Sequence, residues 1–243
     1  MPKSKRRGRS GQIIVVSALV IALIMTSTAT YIYELSGNIG DTDSYVLNDF
    51  IRSIELGSQH VMICALANIA NGEQNQTLSA NLNEWTAAVG GQYSLGEFTL
   101  NYTRALLYKN WVSNGSGVSE AYANFQLNAN GEAAEMQLPF YVNVSTRLHV
   151  GVITKNSSSG EQVTVISKLF NEGQPALAKN VTIYYNESGE WQSPGPANNY
   201  VMVDYGNGTY RATFTVENSA TLDVSVRVFD SRSILVQANA TCL

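Results

Sequence analysis

Histidine and cysteine are the residue types of this chain best suited to metal or redox chemistry, and it has two of each. His60 and Cys64 are four residues apart, so on a helix both side chains could reach one metal ion. No second pair of such residues completes a tetrahedral site, and Cys64 falls within an apolar run. We interpret Cys64 as a core residue, His60 as a helix-surface residue and His149 as a solvent-facing strand residue, with no metal site and no cofactor. A disulfide between Cys64 and Cys242 is one alternative; two isolated thiols are the expectation.

The sequence carries none of the short motifs that mark common enzyme classes. It has no G-x-S-x-G nucleophile elbow, no P-loop and no G-x-G-x-x-G after a predicted strand. Asp41 and Asp43 could bind Ca²⁺, but two carboxylates fall short of the six to eight oxygen ligands that this ion takes. Helix capping explains both residues. We therefore predict no enzymatic activity and no catalytic residue.

The whole chain has 13 tyrosines, and several aromatic side chains lie near one loop in its second half. Trp191, Tyr200 and Tyr205 flank the segment Pro194-Gly195-Pro196. Tyrosine and tryptophan on a loop can form a contact surface for a sugar or a protein. The alternative is that these rings cover one end of a β-sandwich, and we favour that interpretation.

Sequons of the form N-x-[ST] are the most frequent chemical signal in the chain. Its 23 asparagines and 41 serines and threonines would form roughly four sequons by chance, yet nine are present. Composition alone remains one explanation, and asparagine-linked glycosylation is the other. The nine are Asn75, Asn101, Asn114, Asn143, Asn156, Asn180, Asn186, Asn207 and Asn239.

The alternation of side chains along the predicted strands (strand parity) favours glycosylation, because it places sequon asparagines on the solvent side. In the predicted strand 140–154, Val142 and Val144 share one face, whereas Asn143 and Ser145 share the other. Asn101 alternates with apolar neighbours in the same way. Wherever a strand can be assigned, we expect the sequon to face solvent.

The element that would position all nine sequons outside the cell is the stretch Ile13–Tyr33. It contains 21 residues without a charge and spans roughly 31 Å as a helix, close to the thickness of a bilayer core. Five lysines and arginines precede it, which predicts a cytoplasmic amino terminus and extracellular domains after the span. Tyr31 and Tyr33 suit the membrane interface. The lipid bilayer is thus the predicted partner of Ile13–Tyr33, and the cell membrane the predicted location.

The apolar stretch admits three interpretations of how the amino terminus is processed. It is a permanent signal anchor, or a secretory signal peptide cleaved near Ser27-Thr28-Ala29, or a leader of the pilin type. The run RRGRSGQIIVVSALVIAL resembles the leader and first helix of archaeal type IV pilin-like proteins. That resemblance implies a cut between Gly11 and Gln12 and assembly of the apolar helix into a filament core. Many such subunits carry Ser and Glu where this chain has Ile14 and Val16.

Apolar spacing then predicts two helices outside the membrane. Residues recur at intervals of three, four and seven from Tyr45 to Ala70, indicating one amphipathic helix or two joined near Gly57. Asn71-Gly72 ends this segment. A further helix is predicted from Leu78 to Val89, and Gly90-Gly91 closes it.

From Gln92 onward the apolar period changes to two, which predicts antiparallel strands. Six short strands follow residue 160 with hairpin signals between them, as in a sandwich. Glu172-Gly173-Gln174-Pro175, the strand Asn180–Tyr185 and Gly208-Thr209-Tyr210 resemble an immunoglobulin-like domain of the invasin or filamin type. This resemblance covers about residues 160–243 and implies a spacer or adhesive module.

The predicted fold class is α+β: a transmembrane helix, a short helical region, an antiparallel β unit and a carboxy-terminal immunoglobulin-like β-sandwich. The predicted segments are a basic leader 1–11, a transmembrane helix 12–35, a helical region 36–91, a β unit 92–157 and a sandwich 158–243. The part after the leader has 10 basic and 19 acidic residues, a charge that excludes nucleic acid as a partner.

We interpret the chain as a membrane-anchored structural or adhesion glycoprotein that self-assembles as a pilin-like filament subunit or contacts surface proteins or glycans. The alternative is a glycan- or protein-binding receptor module with a cleaved signal peptide.

Overall fold

The computed structural model of the protein describes residues 43–242 apart from 94–95, 113, 131–134, 158–159, 188 and 218–221, together with residues 21, 25, 26 and 28. The chain divides into two compact units, Met1–Ser53 and Ile54–Leu243, and every strand that the structure describes lies in the second. Gly11 and Gln12 lie outside the described residues, as does most of Ile13–Tyr33. Among the residues that are described, no helix is long and apolar enough to cross a membrane.

Both helices predicted after the apolar stretch are present: α1, Asp43–Ala70, and α2, Gln76–Val89. Gly57 does not divide α1, and the Trp85 ring of α2 packs where a side chain at position 57 would lie. A Cβ at position 57 would lie 2.4 Å from that ring. Trp85 Nε1 donates a 2.9 Å hydrogen bond to Ser58 Oγ, which fixes this contact. The glycine therefore permits close helix packing instead of ending the helix.

Cys64 is exposed, so its interpretation as a core residue is wrong. It follows Leu56 and His60 at steps of four on α1, and all three side chains are exposed. The next residue, Ala65, is completely buried. The polar residue four positions after Cys64 is exposed as well, so polar residues on both sides of Cys64 mark this stripe as the outer side of the helix. Cys64 and Cys242 are both free thiols, as expected.

Antiparallel strands make up most of the second unit, in agreement with the predicted change of period. The strands are β1 Gly91–Tyr93, β2 Gly96–Asn110, β3 Ser116–Asn130, β4 Glu135–Ser157, β5 Gly160–Asn171, β6 Gln174–Pro175, β7 Ala178–Glu187, β8 Glu190–Gln192, β9 Val201–Asp204, β10 Thr209–Val216, β11 Leu222–Asp230 and β12 Leu235–Cys242. A short 3-10 helix, Pro196–Asn198, precedes β9.

These strands form a large sheet and a small sheet. The large sheet has the order β1-β2-β3-β4-β5-β10-β9, with β6 paired to β5, and the small sheet has the order β12-β11-β7-β8. The 23-residue strand β4 pairs with β3 over 135–149 and with β5 over 146–157. The β unit predicted up to residue 157 and the sandwich predicted after it therefore share one continuous sheet.

One hydrophobic core lies between the two sheets. The large sheet contributes Leu148, Val150, Val163, Val165, Leu169, Ala212, Phe214 and Val216, and the small sheet contributes Ile183, Tyr185, Leu222, Val224, Val226, Val228, Val236, Ala238 and Ala240. The same face of the large sheet continues toward β2, where α2 packs. There it buries Phe98, Leu100, Phe125 and Leu127. One sheet face thus serves two cores, and its opposite face is free to present side chains to solvent.

Candidate functional site

All nine sequon asparagines are described, and none is fully buried. Seven are exposed, while Asn186 and Asn239 are partly buried. In the part of the chain that the structure describes, no hydrogen bond has a sequon Nδ2 as its donor; Asn186, Asn207 and Asn239 take part through Oδ1 as acceptor. Nδ2 is the atom that would receive a sugar. By contrast, the non-sequon Asn71 and Asn198 both donate from Nδ2.

The small sheet carries three sequons on the face turned away from the shared core. Strand register places Asn180, Asn186 and Asn239 together on this outer face. Between them the Arg227 guanidinium stacks over the Tyr184 ring at 5.2 Å from the ring centre. This cation–π pair lies among the three sequon asparagines on the outer face.

A fourth sequon adjoins this outer face at the edge strand β12. Asn114 forms an isolated parallel bridge with Asn239. The next residue, Gly115, donates its backbone N–H to the Asn239 carbonyl at 2.7 Å. The segment before β3 is consequently tied to the small sheet through the backbone of two sequon residues.

The outer face of the large sheet carries Asn101 and Asn143, as parity predicted. Both asparagines are exposed, and the flanking Val142 and Val144 are buried. Tyr141, on the same face as Asn143, is 72% exposed. The parity prediction is wrong for Ser145, which is only 3% exposed. At this point of β4 a polar cluster bonds the backbone N–H and carbonyl of Ser145.

That cluster centres on Asp230, which is completely buried at the end of β11. Its Oδ2 accepts hydrogen bonds from Thr146 Oγ1 and Arg232 Nε, both at 2.9 Å. Its Oδ1 accepts from the backbone N–H groups of Arg232 and Ile234, also at 2.9 Å. Four donors occupy the carboxylate, so it has no lone pair left to act as a general base, and its role is structural.

Arg232 extends the cluster to two further elements. Its guanidinium forms an ion pair with Glu172 at 2.8 Å and donates to the Ser145 carbonyl at 3.0 Å. Glu172 in turn accepts a 2.9 Å bond from the Ser145 backbone N–H. The cluster thus joins the β11–β12 turn, the β5–β6 turn and the middle of β4. The sequence did not predict it, because its members are up to 87 residues apart.

The predicted aromatic surface is only partly assembled. Trp191 is 50% exposed and Tyr205 is 53% exposed, on strand β8 and after strand β9 respectively. Tyr200 is partly buried, its hydroxyl donating to Met202 Sδ. Tyr185 belongs to the core and accepts a bond from Asn198. The rings of Trp191 and Tyr205 are therefore exposed enough to contact a ligand, whereas Tyr200 covers the core.

Burial raises the pKa of the Tyr200 phenol above the ordinary tyrosine value. The folded state therefore keeps this proton to higher pH than the unfolded state does. The contribution of this phenol to stability is complete below about pH 10 and is lost as pH rises through the folded pKa.

We expect Tyr200→Phe to leave the unfolding free energy at pH 7 nearly unchanged and to reduce the fall of that free energy above pH 10. Urea titrations at both pH values test this, with the half-exposed Tyr205→Phe as control; an equal reduction in that variant would contradict it.

The remaining candidates for chemistry do not form a site in the described part of the chain. No group of three or more histidine, cysteine, aspartate and glutamate side chains could hold a metal ion there. His60 and Cys64 share the exposed stripe of α1, and His149 is exposed on β4 with its ring edge-on to Phe170. Desolvation raises the pKa of the Cys64 thiol, so little reactive thiolate forms near neutral pH even though the side chain reaches solvent.

Comparison with known proteins gives no relative: no protein family, no curated protein and no solved structure matches this chain.

Proposed function

We propose that the protein is an exported, N-terminally membrane-anchored surface glycoprotein with a structural or adhesive role. The observation that carries this proposal is the position of the sequons. Nine asparagines follow a basic leader and an uncharged 21-residue stretch, and all nine side chains reach solvent to some extent. Asparagine is commonly exposed in folded proteins, so exposure alone does not indicate glycosylation. The number of sequons, which exceeds the number expected by chance, is the additional support.

The proposed anchor is the helix Ile13–Tyr33, oriented with its basic end in the cytoplasm. Ile21 and Met25, one helical turn apart, are both in helical conformation. Their side chains are 56% and 49% exposed. Apolar side chains exposed on a helix in this stretch are what a bilayer or a filament core would cover.

The part of the chain outside the membrane is proposed to include an immunoglobulin-like sandwich over about residues 158–243. Two antiparallel sheets with one shared core support this proposal, because face-to-face sheet packing is the architecture of such domains. Domains of this kind commonly act as spacers or adhesive modules.

A filament subunit is the more specific form of this proposal, and it predicts processing between Gly11 and Gln12. Mass spectrometry of the mature amino terminus of native material should then find a chain that begins at Gln12. Gly11→Leu should block the cut because a bulky side chain replaces the small residue before it, whereas Gly8→Leu, in the same leader, should not. An intact terminus with all five basic residues would contradict the filament version and leave a permanent anchor.

The second candidate is a receptor module released from a cleaved signal peptide. The exposure of Trp191 and Tyr205 favours it, since both rings are available to stack on a sugar or a protein. This version predicts a mature terminus close to Ala29. It also predicts glycan binding that Trp191→Ala abolishes and that replacement of an exposed aromatic elsewhere, Tyr141→Ala, preserves.

A further inference from the structure

Three of the nine sequons have a tyrosine two residues before the asparagine. The pairs are Tyr141 with Asn143, Tyr184 with Asn186, and Tyr205 with Asn207. With 13 tyrosines among 243 residues, nine sequons would include roughly 0.5 such pairs by chance. Residues two apart on a strand lie on the same face, about 7 Å from each other. On a strand, this spacing therefore places an aromatic ring beside an asparagine that could carry a sugar.

The three pairs differ in their place in the fold and in what already contacts the ring. The Tyr184 ring is stacked against a guanidinium, 5.2 Å from its ring centre. Tyr205 and Asn207 lie in the turn between β9 and β10, where the alternation of a strand does not apply. Tyr141 and Asn143 lie within β4, and both side chains are exposed on the outer face of the large sheet. The strand therefore fixes the spacing of this last pair.

In the part of the chain that the structure describes, the Tyr141 ring has no polar or aromatic partner. The side chain is 72% exposed and makes no hydrogen bond or ring contact there. Its cross-strand neighbour Asn124 instead accepts a hydrogen bond from the Tyr122 hydroxyl. Tyr122 lies directly across from Asn143 in the register of β3 and β4. Asn143 is thus bordered by one tyrosine along its own strand and by another on the neighbouring strand.

The second edge of β4 is open beside this pair. Strand β4 pairs with β3 over 135–149, but it pairs with β5 only over 146–157. Among the described strands, none is therefore paired with β4 at Tyr141 and Asn143 on the β5 side. On that side no paired strand supplies side chains that compete for the tyrosine ring.

We infer that the first sugar of a glycan on Asn143 stacks on the Tyr141 ring and thereby stabilises the folded sheet. A pyranose presents a face of C–H groups, and this apolar face packs on the face of an aromatic ring. The contact belongs to the folded state, because the unfolded chain does not hold the two residues on one face. The inference rests on the proposal that the chain is a glycoprotein, and it assigns Tyr141 to a glycan of its own chain.

The test uses the full-length chain from a host that attaches glycans through N-acetylglucosamine, purified in detergent. Mass spectrometry measures occupancy at each sequon. Urea unfolding followed by circular dichroism then compares the parent, Asn143→Gln, Tyr141→Thr and the double variant. We expect the glycan on Asn143 to raise the folding equilibrium constant about fivefold in the parent and to have no such effect in Tyr141→Thr. Tyr141→Phe keeps the ring and should keep the effect.

Two controls separate stacking from other effects of these substitutions. The same four proteins from a host without N-glycosylation should show no coupling between positions 141 and 143. Asn101 is the matched sequon on the same sheet face: its neighbours two residues away are Thr99 and Thr103, and Gln126 lies across from it. Loss of its glycan in Asn101→Gln should have the same effect with and without Tyr141→Thr.

The possible failures of this test point to different proposals. An equal effect of the Asn143 glycan in the parent and in Tyr141→Thr would overturn the stacking while leaving glycosylation intact. Occupancy at other sequons with none at Asn143 would also overturn it. No occupancy at any sequon would contradict the glycoprotein proposal on which the inference rests.

Discussion

Replacing Asp230 by Ala is expected to lower the free energy of unfolding by about 3–5 kcal/mol. The carboxylate is completely buried and accepts four hydrogen bonds at 2.9 Å, two from backbone N–H groups and two from side chains. Its removal leaves those donors unsatisfied and takes away one of the two charges that balance Arg232. Leaving a buried donor unpaired costs more free energy than a formed hydrogen bond contributes. The stability loss should therefore exceed the loss caused by removing a surface ion pair.

The effect should extend beyond the turn in which Asp230 lies. Arg232 carries the cluster to Glu172 and to the Ser145 carbonyl, so loss of its partner weakens contacts between both sheets. Asp230→Asn keeps the shape and one acceptor oxygen but turns an amide N–H₂ toward existing donors. We therefore expect its cost to be smaller than that of Asp230→Ala but still above about 1 kcal/mol.

Urea denaturation followed by circular dichroism measures both variants. Asp223→Ala is the matched control, since Asp223 lies on the same strand, is exposed and accepts one side-chain bond from Thr241. It should change stability by no more than about 0.5 kcal/mol. Equal stability loss for Asp223→Ala and Asp230→Ala would contradict the role assigned to the buried cluster.

How much of this fold the sequence predicts depends on the range of the interactions. Both helices and the main strands follow from apolar spacing, which is a local property. The parity of β4 correctly placed Asn143 toward solvent and Val144 in the core. Parity failed at Ser145, where Glu172 and Arg232, distant in the sequence, bond the backbone N–H and carbonyl. Local periodicity carries no information about which turn will fold back over a strand.

In the candidate site too, local sequence patterns predict some features, and contacts between distant residues determine the others. The sequence predicts which asparagines can be acceptors, since the tripeptide is local, and parity predicts that Asn101 and Asn143 reach solvent. It does not predict that Thr241 donates to Asp223, because that contact depends on strand register. The exposure of Cys64 was also missed, although His60 and Asn68, each four residues away, mark its stripe of α1 as the outer side of the helix.

Gly117→Ala is the second large effect that we expect, with a loss of about 2–4 kcal/mol. Gly117 lies on β3 where edge strand β12 crosses closest, and a Cβ there would lie 1.9 Å from the Gln237 carbonyl oxygen. Backbone atoms cannot rotate away as a side chain would, so the two strands must separate. Separation weakens the adjoining bonds from Gly115 N–H to the Asn239 carbonyl and from Ser119 Oγ to the Leu235 carbonyl, both at 2.7 Å.

Gly151→Ala on β4 provides the control for this substitution. A Cβ at position 151 meets nothing within 4 Å, so the same chemical change adds no clash there. Alanine also restricts the unfolded chain more than glycine does, and Gly151→Ala should be neutral or stabilising by up to about 1 kcal/mol. Thermal and urea unfolding of the two variants therefore separate close strand contact from the general effect of replacing a strand glycine. Similar stability in both would mean that β3 and β12 are farther apart than the Gly117 geometry requires.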